Sequence, residues 1–237
     1  MFHGKCKAVT FSYDDGVSQD VRLIALLDKY GLKATFNLNS GMFGACCNLT
    51  VKGETVTHNL LSAEEAKKLY VGHEVAVHTL THPNLTTLPD QEVIRQVKND
   101  RENLSKLFGY EVYGMAYPCG GVNNDDRVAE VIRQHTSIKF ARTITSSYSF
   151  DRQENLLRFH PTLSHMDERL FPLAEDFLAA SSDRDRIFYI WGHSYELDAA
   201  DGWNMLEKFC ALISGKDDIF YGTNSEVLLC GENEKIK

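Results

Sequence analysis

Lys7-Ala8-Val9-Thr10-Phe11-Ser12-Tyr13-Asp14-Asp15-Gly16 decides the fold: a strand-like run, placed at Lys7 to Ser12, that ends in two adjacent carboxylates and a glycine. Neighbouring carboxylates repel, so an Asp-Asp pair at the end of a buried strand is costly unless a cation, a donor or a proton compensates it. A second cluster, His78-Thr79-Leu80-Thr81-His82, completes the pair if a divalent metal joins the two. With Asp15 binding through oxygen and His78 and His82 through nitrogen, three protein ligands leave one position for water, the pattern of catalytic metal sites. Asp14 then remains free to act as a base. Each motif also has a plainer reading. Asp-Asp-Gly marks turns very often, and His-x-x-x-His can place two rings on one face of a helical turn. Their position decides the matter, because both motifs terminate strands of one expected parallel sheet.

That sheet follows from the alternation downstream. Ser18 to Tyr30 switches to helical spacing through Val21, Ile24, Leu26 and Leu27, closed by Gly31, and Ala34 to Leu38 is the second strand. Ser62-Ala63-Glu64-Glu65 has the form of a capping box that opens a helix to Tyr70, and Glu74 to Val77 is the third strand. Pro89-Asp90 introduces a helix to Phe108, with Val93, Val97, Leu104 and Leu107 on its apolar face and Gly109 at its end. Val112 to Ala116, Lys139 to Thr143, Leu157 to Phe159, Arg186 to Trp191 and Asp218 to Tyr221 read as strands. Asp125 to Gln134, Met166 to Ala180, Gly202 to Ser214 and a short segment after Asn224 read as helices. About seven such units predict a distorted (β/α)7-type α/β barrel of parallel strands with its active groups on the C-terminal rim. Asn39 to Leu61 is too long for an ordinary connection and predicts an excursion on the same rim that shapes access.

At 237 residues the chain suits one domain across 1–237. Its net charge of -8 argues against a nucleic-acid partner, which needs a basic surface. No stretch has the apolar length to span a membrane and no leader precedes the first strand, so the expected location is cytoplasmic. Six cysteines without C-x-x-C pairing argue against a zinc ribbon and predict reduced thiols.

Two further stretches carry candidates. Tyr117-Pro118-Cys119-Gly120-Gly121 is a turn by composition, and a proline-constrained turn can aim the Cys119 amide at an oxyanion, with Tyr117 beside the substrate. A nucleophilic role for the Cys119 thiol lacks a positioned base in the sequence. Ile187 to His193 is a buried strand whose terminal His193 can protonate a leaving amine. His3, His58 and His135 read as surface residues, while His73, His160 and His165 are candidates to approach the rim, with no assigned role.

From Thr10 to about His193 the chain resembles the polysaccharide deacetylases of the NodB homology group, carbohydrate esterase family 4. Its T-F-D-D-G motif is similar to Thr10-Phe11-Ser12-Tyr13-Asp14-Asp15-Gly16, with two extra residues before the aspartates, and its H-[S/T]-x-x-H motif to His78–His82. The resemblance implies Asp14 as general base, Asp15, His78 and His82 as metal ligands, and His193 as general acid, with Trp191 walling the acyl methyl. In the third motif Pro118 aligns, but Ala116 stands in place of an arginine that orients the base, and Cys119 in place of tyrosine. Another basic residue such as Arg142 is then needed for that contact. The fourth motif, an aspartate near a tryptophan, has no clear counterpart.

The expected activity is hydrolysis of N-acetyl groups on an amino sugar, oligosaccharide or polysaccharide. The expected cofactor is a divalent metal, zinc first, with cobalt or another first-row ion compatible with the donors. The rivals are a deacylase acting on a small non-sugar amide, an iron oxygenase with a two-histidine, one-carboxylate triad, and a catalytically silent carbohydrate-binding protein.

Overall fold

Both faces of β1 (Lys7–Asp14) are buried along its length, and a strand of that kind needs layers above and below it. Alternation supplies them. The helix α1 (Asp20–Lys29) turns Leu23, Ile24 and Leu27 inward, and β2 (Ala34–Leu38) returns fully buried. Next come β3 (Cys46–Val51), β4 (Glu54–Asn59), α2 (Ala63–Leu69), β5 (Glu74–Val77), α3 (Asp90–Phe108), β6 (Gly114–Ala116), α4 (Asp126–His135) and β7 (Phe140–Arg142). Then follow β8 (Leu163–Ser164), α5 (Leu170–Ala179), β9 (Arg186–Gly192), α6 (Gly202–Ile213), β10 (Ile219–Tyr221) and α7 (Asn224–Leu228). This computed structural model describes residues 1–199 and 201–230, so residues 200 and 231–237 of the expected domain lie outside the described residues.

The main sheet is parallel, in the order β7-β6-β5-β2-β1-β9-β8. One edge of β1 is shared: β10 lies beside Lys7–Val9 and β2 beside Phe11–Asp14. The ends of the sheet meet through one short stretch. Phe159 donates to Ala141 O and accepts from Thr143 N, both at 2.9 Å, while Thr162 N and His165 N donate to Tyr189 O and Trp191 O, both at 2.8 Å. Because these few residues bond to β7 at one end and β9 at the other, the sheet curls into the expected distorted (β/α)7-type barrel.

Several expected boundaries move, each for a local reason. Val112 stays outside β6 because its N–H donates to Ser105 Oγ at 3.1 Å and its carbonyl accepts from Arg101 Nε at 2.8 Å, both on α3. Leu156–Arg158 is a 3-10 turn rather than a strand, and of the expected Leu157 to Phe159 only Phe159 pairs with the sheet. Val21 is 55% exposed, so the buried face of α1 runs through Leu23 instead. The capping box at Ser62 and Glu65 and the left-handed Gly109 cap form as expected. The Asn39 to Leu61 excursion contains the antiparallel pair β3 and β4. Lys52 and Gly53 turn it with φ of 50° and 85°, the two-residue geometry whose twist matches a hairpin. No helix among the described residues is long and apolar enough to cross a membrane.

Candidate metal and hydrolytic site

Asp14 closes β1, Arg142 closes β7, and the curled sheet brings these two strand ends together. One Arg142 Nη lies 2.6 and 2.5 Å from the two oxygens of Asp14, and Asn37 Nδ2 on β2 donates to Asp14 Oδ1 at 2.7 Å. Both charges are buried, so the pair stands only because each finds the other. Arg142 Nε reaches Ser12 Oγ at 3.2 Å, and its guanidinium lies over the Trp191 ring, 4.5 Å from the centroid.

Asp15, one residue on, has no arginine. Its φ of 77° is left-handed, which turns its carboxylate away from that of Asp14 and towards the histidine loop. Its Oδ1 is 3.6 Å from His78 Nε2 and 3.7 Å from His82 Nε2, and one donor atom from each of the three lies within 4.8 Å of the others. Burial alone would raise this carboxyl, but a hydrogen bond from His58, and the charges that His193, His78 and His82 carry when protonated, hold it well below the usual carboxylate range. His78 Nδ1 is 3.0 Å from Ala116 O. A carbonyl can only accept, so that bond puts the proton on Nδ1 and leaves the Nε2 lone pair available, as a metal-ligating histidine requires. Burial pushes His78 down to about 4, which keeps it in the neutral, ligating form.

The loop that carries the histidines is held from α3. Asp100 accepts from Ser40 N at 2.7 Å and His78 N at 3.2 Å, while Gln96 accepts from Thr81 N at 3.0 Å and donates to Thr81 Oγ1 at 2.9 Å. Asn39 Nδ2 donates to the carbonyls of His78 and Thr79 at 2.5 and 2.8 Å. Thr79, His82 and Cys119 share the left-handed backbone of Asp15, at φ of 69°, 59° and 69°. Such residues cost on the order of 1–3 kcal/mol each and persist where surroundings over-determine them.

Across the cavity His193 follows Gly192 at the end of β9, its Nε2 3.9 Å from Asp14 Oδ2. Glu196 lies beneath it: Oε2 accepts from His193 N at 3.0 Å and from His165 Nε2 at 3.0 Å, while Oε1 is 3.4 Å from His193 Nδ1. Tyr13 O–H completes the line at His165 Nδ1, 3.1 Å away. Gly192 is required here, since a Cβ on it would sit 2.6 Å from His165 Nε2. Burial lowers His193, but Glu196 and the carboxylates of Asp15 and Asp14 outweigh it and raise the ring to about 9. The two histidines are thus driven apart, His78 neutral and His193 cationic near pH 7.

Every residue singled out in the sequence as catalytic, ligating or contacting reaches this region. Tyr117, Cys119, Trp191 and His193 line one cavity of about 600 Å³ with Asp14, Asp15, His78 and His82. The Tyr117 hydroxyl is already committed, donating to Leu157 O at 2.8 Å. Asn123 Nδ2 pins the turn by donating to the carbonyls of Tyr117, Pro118 and Cys119 at 3.3, 3.0 and 2.8 Å. Burial pushes the Cys119 thiol up, and its Sγ is 3.4 Å from His82 O, an environment that disfavours a thiolate nucleophile.

His58 corrects the sequence reading. Expected at the surface, it lines the cavity from β4 and its Nε2 is 2.9 Å from Asp15 Oδ2. The hairpin fold carries it inward. Glu196, Asp100, Gln96, Asn37 and Asn123 were also missed, while His165, expected near the rim without a role, lies there against Glu196. Gln96 and Asp100 had a signal in the sequence, polar residues four apart on the apolar face of α3, and the hairpin had one in Lys52-Gly53 between Leu49, Val51 and Val56.

Residues 3–137 match the family described as polysaccharide deacetylase. The peptidoglycan-N-acetylglucosamine deacetylase PgdA of Listeria monocytogenes is 30% identical over 128 residues, which cover 53% of this chain and 24% of that protein. The chain therefore spans about a quarter of the length of this curated relative. A proposed polysaccharide deacetylase from Mycobacterium smegmatis superposes with a TM-score of 0.64 at 15% identity, over 98% of this chain and 92% of that one. A carbohydrate esterase family 4 pseudoenzyme from Bacillus anthracis gives 0.55 at 18% identity, over 94% and 65%. At these identities the structural likeness speaks to the fold.

Proposed function

The chain belongs to the polysaccharide deacetylase family, and from that membership we propose that it is a metal-dependent hydrolase of N-acetyl groups on an amino sugar, oligosaccharide or polysaccharide. The observation that carries the reading is the split between adjacent carboxylates: Asp14 is paired with Arg142, and Asp15 is surrounded by histidines. One oxygen and two imidazole nitrogens fit zinc first and other first-row ions next. Held by Asp15, His78 and His82, such an ion would supply Lewis acidity and a more acidic water.

The chain's own residues do the rest. Asp14, oriented by Arg142 and Asn37, takes the proton of the attacking water at Oδ2, the oxygen that faces both His78 and His193. Arg142 from β7 supports the contact left open by Ala116, from the neighbouring strand end. The turn at Cys119 presents its backbone N–H to the oxyanion, and Trp191 forms the wall beside the acyl group. His193, kept cationic by Glu196, gives its proton to the departing amine. Glu196 supplies the carboxylate partner that the unplaced fourth motif would otherwise bring.

The test is acetate release by the metal-loaded protein from N-acetylglucosamine oligomers and peptidoglycan fragments, paired with metal analysis. Tight sugar binding with no acetate over hours would instead favour a silent carbohydrate-binding protein. One observation favours a small amide as second substrate: beside the carboxylates and histidines, the cavity wall includes the apolar Met42, Ala45, Leu49, Leu60 and Ile144. A sugar hydroxyl buried there without a partner costs on the order of 1–3 kcal/mol. Comparing rates on the monosaccharide, an oligosaccharide and a small cyclic amide separates the two. A cytoplasmic location, supported by six free cysteines of which Cys46 and Cys47 are exposed, is part of the proposal, and cell fractionation checks it.

A further inference from the structure

We propose that His58, delivered by the β3–β4 hairpin, is a positioning residue that orients the metal-binding carboxylate of Asp15 without itself ligating the ion. The proposal rests on Asp15, His78 and His82 being the ligand set. Its basis is that the two oxygens of Asp15 face different partners. Oδ1 lies at 3.6 and 3.7 Å from His78 and His82, whereas Oδ2 lies at 2.9 Å from His58 Nε2. The carboxylate can only accept, so Nε2 carries the proton and cannot at the same time offer a lone pair to an ion. His58 also falls outside the group of residues whose donor atoms lie within 4.8 Å of one another.

The other ring nitrogen has a matching partner. Cys47, paired directly with His58 across the hairpin, brings its Sγ to 3.5 Å from Nδ1. With the proton on Nε2, Nδ1 accepts from the thiol, and the ring is held from both ends. Tyr195 packs edge-on against it, centroids 5.0 Å apart at 82°. A plainer alternative makes the contact mere adhesive for the hairpin, but the hairpin is fastened elsewhere. Ser18 N donates to Asn59 O at 2.8 Å, Gln19 Nε2 donates to Thr57 O at 2.8 Å, and Val56 and Leu60 pack with Val17, Tyr195 and Ala199. With those anchors in place, the bond to Asp15 is free to serve the carboxylate. Without His58, Oδ2 would lose its donor and the carboxylate could rotate out of register with the two histidines.

Competition between the protein and a chromophoric chelator for Zn²⁺ tests this in wild type, His58→Ala, His58→Gln and, as a ligand control, His78→Ala. Loss of an outer-sphere partner of a metal ligand weakens affinity by about 10–100-fold, and that is the result expected for His58→Ala. His58→Gln, which keeps an N–H donor, should recover most of it, and His78→Ala should lose more than either. Thermal melts of the metal-free variants should stay close to wild type, which separates orientation from folding. Unchanged affinity in His58→Ala would reduce the residue to hairpin adhesive and overturn the proposal. Equal loss in His58→Ala, His58→Gln and His78→Ala would make His58 a ligand and overturn it too. A wild-type protein that binds no Zn²⁺ would sink the ligand set itself, and the positioning role with it.

Discussion

Strand ends and hairpin deliver side chains to one cavity by different physical means. Asp14, Arg142, His78 and His193 sit at or just beyond the ends of parallel strands, where the sheet's own hydrogen bonds set their positions to within a side chain's reach. His58 arrives on a two-stranded hairpin outside the main sheet, held by hydrogen bonds from Ser18 and Gln19 and by a small apolar cluster. Groups on the sheet can therefore carry buried charge, because rigid neighbours guarantee the compensating partner. The hairpin brings a ring against a carboxylate already in place. On the proposed reading, chemistry sits on the rigid part and tuning on the attached part.

The largest effect should come from the sheet side. Asp14→Asn should lower acetate release by about 10²–10⁴-fold while leaving Zn²⁺ affinity near wild type; near-normal turnover would remove Asp14 as the base. Arg142→Met should cost about 3–5 kcal/mol in urea unfolding, since it strands the buried Asp14 charge. A smaller loss would mean that Asn37 and water suffice.

Glu196→Gln should move the alkaline limb of the pH–rate profile. His193 is raised to about 9 by Glu196 and the site carboxylates against burial, so an acid role persists up to that pH in the wild type. Removing the charge should bring the limb to lower pH, and a limb that stays in place would take His193 out of the acid role.

Asp20→Asn should change only a slope. Burial pushes Asp20 up to about 7, against hydrogen bonds from Ser194 and Tyr70. The folded state therefore holds a proton that the unfolded chain releases near its ordinary value of 3.8, so the proton's contribution to stability is complete below about 4 and lost as pH rises through about 7. Unfolding measured across that window should lose this slope in the variant. On the hairpin side, Gly53→Ala, at φ 85°, should cost about 1 kcal/mol. A loss as large as that of Arg142→Met would break the distinction between the two regions.

The elements that bind themselves were legible in the sequence. An all-buried strand such as β2, the capping box at Ser62 and the apolar stripe of α3 announce their structure through local propensity and spacing. The short or paired elements were harder to read. β8 has two residues and is defined only by its bonds to β9, and β6 begins at Gly114 because side chains of α3 claim Val112. The site divides in the same way. Residues that name their own chemistry, two aspartates, a spaced histidine pair and a histidine after a glycine, could be nominated one by one. Glu196, Asp100, Gln96 and His58 are ordinary polar residues until a partner is seen.

By itself the sequence determined the alternation, the rim on which the chemistry gathers and the identity of the donor groups, because these depend on short-range periodicity and side-chain type. Only the tertiary structure decided which charge meets which. Arg142 is 128 residues from Asp14, His58 is 43 from Asp15 and Glu196 is 31 from His165. Electrostatic compensation and carboxylate orientation act over a few ångströms, and distances of that kind exist only once the sheet has curled and the hairpin has folded onto it.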